Sequence, residues 1–157
     1  NIQPASIDNE REALFQKYKK SLPFETSASV NTLLMDDIPH SVYSTFEVTV
    51  YDGDKLIACG YFDLGHHCAA GISSFYDPEY KKYSLGKYII YRKIEYCRQK
   101  GFQYFYPGYF VPGYKVFDYK LTIGKKGLQF FDIEKNTWQN LAAYKQEKIP
   151  LSIMEIK

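Results

Sequence analysis

The spacing of apolar positions changes character several times along the chain. Leu14 and Tyr18 lie one helical turn apart, behind an Asn9 and Glu12 pair with capping-box spacing. This predicts a helix ending no later than Pro23. Leu33, Leu34 and Met35 fit a short buried helix, broken by Asp36-Asp37-Ile38-Pro39. From Tyr43 the period becomes two, with Phe46, Val48 and Val50 on one face and Glu47, Thr49 and Tyr51 on the other. Tyr51-Asp52-Gly53-Asp54 is a hairpin signal, since glycine accepts the positive φ of a tight turn. A return strand is expected over Lys55 to about Asp63, a loop over Leu64-Gly65-His66-His67, and a third strand over Cys68 to Tyr76. After a turn at Asp77-Pro78-Glu79-Tyr80, an amphipathic helix is predicted from about Ser84 to Lys100. Its apolar stripe is Ile90, Ile94, Cys97 and Gly101, with Arg92, Glu95 and Gln99 opposite. A strand over Phe102 to Tyr106 breaks at Pro107-Gly108 and continues through Tyr109-Phe110-Val111, followed by a Pro112-Gly113 turn. Gly127 to Ile133 gives a last clear strand, and the stretch from Thr137 to Lys157 has no decisive pattern. Internal repeats and low-complexity tracts are absent from the sequence.

Composition narrows the class. With 157 residues, 45% hydrophobic and 24% charged, the chain fits a single folded domain over 1–157. No apolar run reaches the roughly 18 residues of a membrane-spanning helix, so no membrane partner is expected. Lys+Arg 20 against Asp+Glu 18 gives a net charge of +2, which supplies no global electrostatic argument for nucleic-acid binding and leaves only a local basic patch open. The unusual number is 16 Tyr beside 11 Phe, which implies many amphipathic rings at or just below the surface. Cys59, Cys68 and Cys97 are odd in number and form no C-x-x-C, as expected of reduced thiols in a cytoplasmic protein. The chain opens on Asn1-Ile2-Gln3-Pro4 without Met or a secretory signal, and is expected to be a piece of a longer protein. Helix, antiparallel meander, helix and strand in this order make an α/β (α+β) fold. The GNAT acyltransferase fold, a mostly antiparallel mixed sheet flanked by helices, is one candidate among several.

A set of short motifs raises that candidate. Ser74-Phe75-Tyr76-Asp77-Pro78-Glu79-Tyr80 is similar to an S-V-Y-x-x-x-D-P-D-Y region with fewer residues before the Asp. Ser84-Leu85-Gly86-Lys87-Tyr88 matches S-L-G-x-Y, and Ile94-Glu95-Tyr96-Cys97-Arg98 lies in the helix that follows. Tyr104-Phe105-Tyr106-Pro107-Gly108-Tyr109-Phe110-Val111-Pro112-Gly113 parallels Y-L-Y-L-G-Y-Y-I-P-G, and Tyr119-Lys120 sits where a K-M-x-Y-K element ends. In this order, across residues 43–132, the motifs resemble the arginyl-tRNA–protein transferase family and its bacterial leucyl-transferring relatives; the Asp52–Ala58 hairpin adds weak support. The resemblance implies a GNAT-like fold. It also implies transfer of an amino acid from aminoacyl-tRNA, as co-substrate and without a further cofactor, to the N-terminal amine of proteins that begin with an acidic residue. Proteins so marked are destined for degradation. The chain departs from the pattern at Pro107, where Leu or Met is usual, and at Tyr114, Val116 and Phe117, where Cys, Lys and Met are expected. The family's N-terminal cysteine-rich region has no counterpart in these residues.

Aminoacyl transfer from an ester to an amine asks little of acid–base groups, because an α-amine with a pKa of roughly 7.7–8.0 is largely free base near neutrality. Positioning, a proton path and an oxyanion site remain. On this reading Asp77 is a candidate for proton relay or amine orientation, or alternatively the start of an Asp-Pro turn. Tyr80 would orient a substrate carbonyl or cover the core. The break at Pro107-Gly108 is the expected oxyanion site, with Gly108 among the donor-binding residues. Tyr106, Tyr109 and Tyr119 carry faces on which a terminal adenosine can stack. Ser84, Leu85, Gly86 and Lys87 open the main helix, where peptide N–H groups can bind a phosphate with Lys81 and Lys82 near, or alternatively form a solvated basic turn. The same stretch lacks the Gln/Arg and final small residue of a coenzyme A loop. Lys120 is the acceptor-side candidate, suited to pair with an acidic N-terminal side chain. His66-His67 beside Cys68 has no second ligand pair at metal spacing, so no metal site is expected. The alternatives are a GNAT-type enzyme with another donor, such as an acyl-coenzyme A, and a catalytically degenerate member that binds peptide or tRNA.

Overall fold

A computed structural model of the protein describes residues 1–35, 42–109, 115–124 and 127–141, with the backbone alone at 115–118. The expectations for Asp36–Pro39, Phe110–Gly113, Tyr114 and the stretch after 141 lie outside the described residues, as do the side chains of Val116 and Phe117. The chain divides into two compact units, Asn1–Gly108 and Tyr109–Lys157.

The first unit runs β1 (Ile2–Pro4), α1 (Asn9–Lys19), α2 (Val30–Met35), β2 (Ser44–Asp52), β3 (Lys55–Leu64), β4 (Cys68–Tyr76), a 3-10 helix (Pro78–Tyr83), α3 (Leu85–Gln99) and β5 (Tyr104–Tyr106). The sheet order is β1-β2-β3-β4-β5, antiparallel throughout except for the parallel β4–β5 pair. The expected meander is therefore present, extended on one edge by β1, which the sequence pattern did not reveal. Three residues ending in Pro4 are too few to show alternation.

β3 lies at the centre and is apolar on both faces, as a strand covered by helices must be. Leu56, Cys59 and Tyr61 join Leu14, Phe15, Val30 and Phe75 beneath α1. Ile57, Ala58 and Phe62 join Val48, Ala69, Leu85, Ile89 and Cys97 beneath α3. Neighbouring Ile57 and Ala58 share a face because the β2–β3 register shifts there, with Val50 opposite Ala58 and Tyr51 opposite Leu56.

Two local expectations are corrected. The cap of α1 is Asp8, whose carboxylate accepts from the Arg11 N–H at 2.9 Å. Glu12 instead accepts from Val30 N at 2.8 Å and so ties α2 to α1. On β2, Glu47 and Thr49 are both buried, with Glu47 bonded to Arg11 of α1. The apolar stripe of α3 is Leu85, Ile89, Ile90 and Cys97, with Ile94 only half buried. The helix ends in a Schellman pattern, Gly101 N to Arg98 O at 3.1 Å and Phe102 N to Cys97 O at 2.9 Å.

In the second unit the backbone forms a 3-10 helix (Lys115–Thr122) and a hairpin of β6 (Gln129–Asp132) and β7 (Thr137–Asn140). β7 supplies structure where the sequence pattern was silent. Phe131 and Trp138 pack edge to face across the hairpin at 5.3 Å, and Asn136 takes φ 52° in its turn.

Candidate functional site

Two buried cations set the geometry around the sheet. On α1, Arg11 occupies the buried stripe with Leu14 and Phe15. Its Nε donates to Glu47 Oε2 at 2.7 Å, its second terminal nitrogen bonds Glu47 Oε1, and its Nη1 meets Asp8 at 2.5 Å. Glu47 also accepts from Gln3 Nε2 at 2.8 Å and Ser6 N at 3.2 Å. The Glu47 hydrogen bond is the main reason the guanidinium pKa is raised, against the opposing effect of burial. On α3, Lys93 stands in the stripe between Ile89 and Cys97 and is buried to 1% exposure. Its Nζ donates to Tyr61 O at 2.8 Å, Ser73 O at 3.2 Å and Ser74 Oγ at 3.2 Å. Sequence reasoning missed Lys93; the signal was a lysine at i+4 from Ile89 and i−4 from Cys97.

Lys93 grips β4 where that strand leaves its neighbour. β5 pairs with β4 only at Cys68–Ala70 and ends at Tyr106, while β4 runs on from Gly71 to Tyr76. The β3–β4 register shifts at the same place, Tyr61 facing Ser73 and Phe62 facing Gly71, so Ile72 is an extra residue. Gly60 makes room on the opposite side. A Cβ there would collide with the Ile89 side chain and lie 2.8 Å from Ser74 Oγ and 3.1 Å from Lys93 Nζ. The parting of β4 from β5 is thus built from a bulge, a glycine and a buried ammonium. Past it, Gly108 takes φ +85°, a region that favours glycine.

Asp77 and Tyr80 come together at the far end of β4. Asp77 caps the 3-10 helix by accepting from Glu79 N at 3.1 Å, and its own N–H donates to Ile57 O at 2.8 Å. Its carboxylate, 1% exposed, receives Lys17 and Lys55, each at 2.8 Å, and Glu79 takes Lys17 at 2.9 Å. Burial opposes ionisation, but the hydrogen bonds from Lys17 and Lys55 outweigh it and lower the Asp77 pKa to about 2. The Tyr80 hydroxyl donates to Asp52 at 2.7 Å, and Lys55 lies over its ring at 5.2 Å.

The other sequence candidates fall in separate places. Ser84 is exposed with φ 54° before α3, and Gly86 and Lys87 are partly exposed in its first turn. The Leu85 side chain belongs to the core beneath α3, so only its peptide remains for a ligand. Tyr106 is 39% exposed at the end of β5, and Tyr109 is 91% exposed. In the second unit Lys120, whose pKa burial pushes down, donates to Tyr109 O at 2.7 Å, and Tyr119 is half buried beside it in sequence. Among the described residues no cluster of three or more His, Cys, Asp or Glu has the arrangement of a metal site, and no helix is long and apolar enough to cross a membrane.

The architecture matches known proteins. A crystal structure of the ribosomal-protein-S18-alanine N-acetyltransferase from Escherichia coli superposes with a TM-score of 0.56 at 14% identity, over 79% of this chain and 76% of that one. The fold is accordingly a GNAT-like acyltransferase fold. The family described as "Arginine-tRNA-protein transferase, C terminus" matches residues 10–129, and the chain belongs to that family. An aspartate/glutamate leucyltransferase of Vibrio vulnificus (strain YJ016) is 32% identical over 77 residues, 46% of this chain and 33% of the relative. Arginyl-tRNA–protein transferase 1 of Drosophila melanogaster is 35% identical over 77 residues, 46% of this chain and 16% of the relative. The matched stretch thus spans a third or less of the length of these curated relatives.

Proposed function

We propose that this chain is the transfer domain of an aminoacyl-tRNA–protein transferase that moves an amino acid from aminoacyl-tRNA to the N-terminal amine of a protein beginning with an acidic residue. The observation that carries this reading is the family match over residues 10–129. The printed name of the Vibrio relative, an aspartate/glutamate leucyltransferase, supports the acidic acceptor. The setting we propose is the cytoplasm, where the added residue would form an N-degron.

In the proposed reaction the acceptor amine attacks the ester carbonyl of the aminoacyl-tRNA. The new C–N bond forms as the C–O bond to the ribose breaks, and the proton lost by the amine ends on the departing ribose hydroxyl. The chain's task is to hold the two substrates and stabilise the oxyanion. We assign the oxyanion donor to the peptide N–H of Gly108, because Pro107 has none. The face of Tyr106 would take the terminal adenosine, and Ser84, Gly86 and Lys87 a phosphate near it. Tyr119 and Lys120 would meet the acceptor. A carboxylate with a pKa of about 2 is a weak base at neutral pH. Asp77 therefore acts by positioning, fixing the 3-10 helix and the lysines Lys17 and Lys55, rather than as a proton relay. Tyr80 acts through Asp52 in the same array.

The test is a transfer assay read by mass spectrometry, with total charged tRNA and peptides beginning with Asp, Glu, Lys or Ala. It is run on this chain and on the uncut gene product. A gain of one amino-acid mass on the acidic peptides supports the reading and identifies the residue transferred. No gain on any peptide with the uncut product overturns it. Asp77→Ala is expected to lose transfer while its circular dichroism spectrum stays folded, and full activity would remove Asp77 from the mechanism.

A further inference from the structure

Between Glu79 and Glu95 the sequence holds no acidic residue but five lysines and arginines, in a chain whose total is only +2. The basic charge is therefore local. Of the five, Lys93 is buried and Arg92 is paired with Glu95 at 2.6 Å, which leaves Lys81, Lys82 and Lys87 on the surface side of this stretch. Three tyrosines are interleaved with them, and all are well exposed: Tyr83 at 59%, Tyr88 at 47% and Tyr91 at 47%. Ser84, Lys87, Tyr88 and Tyr91 follow i, i+3, i+4, i+7 spacing, so they share one face of α3, and the 3-10 helix brings Lys81, Lys82 and Tyr83 to its start. Tyr88 and Tyr91, three residues apart on the helix, leave ring faces open to solvent on which a base can stack.

We infer that this face of α3 and its preceding 3-10 helix is a docking surface for RNA, with Lys81, Lys82 and Lys87 on phosphates and Tyr88 and Tyr91 stacked on bases. The inference deepens the proposed function, on which it rests, by extending the phosphate contact of Lys87 near the reactive end along the nucleic acid that leads away from it. Charge complementarity selects a polyanion, and the interleaved rings select one that carries π faces. The reach is suitable: from Ser84 to Tyr91 the helix rises about 10 Å at ~1.5 Å per residue, comparable with three nucleotides of a stacked strand at ~3.4 Å each. Lys82 already lies over the Tyr83 ring at 5.0 Å, which holds that pair as part of the surface.

The experiment measures binding of fluorescently labelled, deacylated tRNA to the full chain between 50 and 200 mM salt. Three phosphate contacts predict a log–log salt slope of about −2.1 to −2.7, that is, a roughly 20- to 40-fold loss of affinity over this range. Lys81→Glu/Lys82→Glu/Lys87→Glu should abolish that slope and cost at least the same factor at 50 mM. The same charge change at Lys19, Lys20 and Lys135 should leave binding within about threefold. Tyr88→Ala/Tyr91→Ala should weaken binding roughly 5-fold or more per stacked base with the salt slope retained. Equal binding by the parent and the triple variant overturns the inference, as does an equal loss in the control variant. Binding of phosphatidylserine vesicles without binding of tRNA overturns it in favour of a membrane surface. If tRNA binds through this face but no amino acid is transferred by the uncut product, the docking surface stands and the transferase reading falls. If transfer survives in a triple variant that binds tRNA normally, the reverse holds.

Discussion

Replacing Glu47 by Gln removes one charge and almost no volume from a carboxylate with 0% side-chain exposure, leaving Arg11 at 5% exposure with its counterion gone. The guanidinium keeps only Asp8, which is 43% exposed and correspondingly screened. Breaking a buried pair at one end costs about 3–5 kcal/mol, since the surviving charge stays desolvated. The residual Asp8 contact places the expectation at the lower end, about 3 kcal/mol. For a chain of this size that corresponds to a fall in Tm of about 10 °C, read by circular dichroism and by the urea midpoint. The double variant Arg11→Met/Glu47→Leu should recover about 2 kcal/mol relative to Glu47→Gln, because neither charge is then buried. It should remain below the parent, because Gln3 Nε2 and Ser6 N lose their acceptor. A loss under about 1 kcal/mol in Glu47→Gln, or a double variant less stable than the single one, would refute the reasoning that the pair is a buried electrostatic lock.

Gly60→Ala should destabilise by about 1–3 kcal/mol through overpacking against Ile89, Ser74 and Lys93, and equilibrium urea unfolding should show it. Thr49→Val should stabilise by about 1 kcal/mol, since Thr49 Oγ1 is buried with no hydrogen-bond partner among the described residues; an unchanged or lower midpoint would contradict this. The folded pKa of Asp77, about 2, lies below its ordinary 3.8, so its stabilising contribution is complete above about pH 4 and disappears as the pH falls through about 2. Because Lys17 and Lys55 are about half exposed, the contribution is about 1–2 kcal/mol. Asp77→Asn should flatten this acid limb in urea midpoints taken from pH 5 to 2, and a persisting limb would assign it to other carboxylates.

The period-two runs from Phe46 to Tyr76 and the helix before Gly101 were legible because one strong period dominates each of them. The motifs from Ser74 to Gly108 were legible for a different reason, as matches to a known order. What escaped notice was polar burial. Alternation separates the faces of β2 but does not say that a helix covers the second, so the burial of Glu47 and Thr49 was not legible in it. Arg11 and Lys93 each occupy an apolar stripe, where a pattern search discounts charge instead of treating it as information. Asp77 was visible as a turn residue and as an acid, yet its lysine partners come from α1 and β3, 60 and 22 positions earlier in the sequence. The hairpin of β6 and β7 was half seen, since four-residue strands carry too few alternations to register.

Apolar stripes alone are tolerant of sliding. Leu14, Phe15 and Tyr18 on α1, or Leu85, Ile89 and Cys97 on α3, would find acceptable neighbours if either helix moved along the sheet by one turn. A buried cation is not so tolerant. A shift of one turn, about 5.4 Å, would carry the Arg11 guanidinium off Glu47 and the Lys93 ammonium off the carbonyls of Tyr61 and Ser73, and each would be left in a dry interior. Each helix is therefore keyed to a single position on the sheet by charge, as a pin locates a part that a smooth surface would let slide. The groups that depend on that placement, Lys17 from α1 and the start of α3 with its lysines and tyrosines, inherit their positions from it.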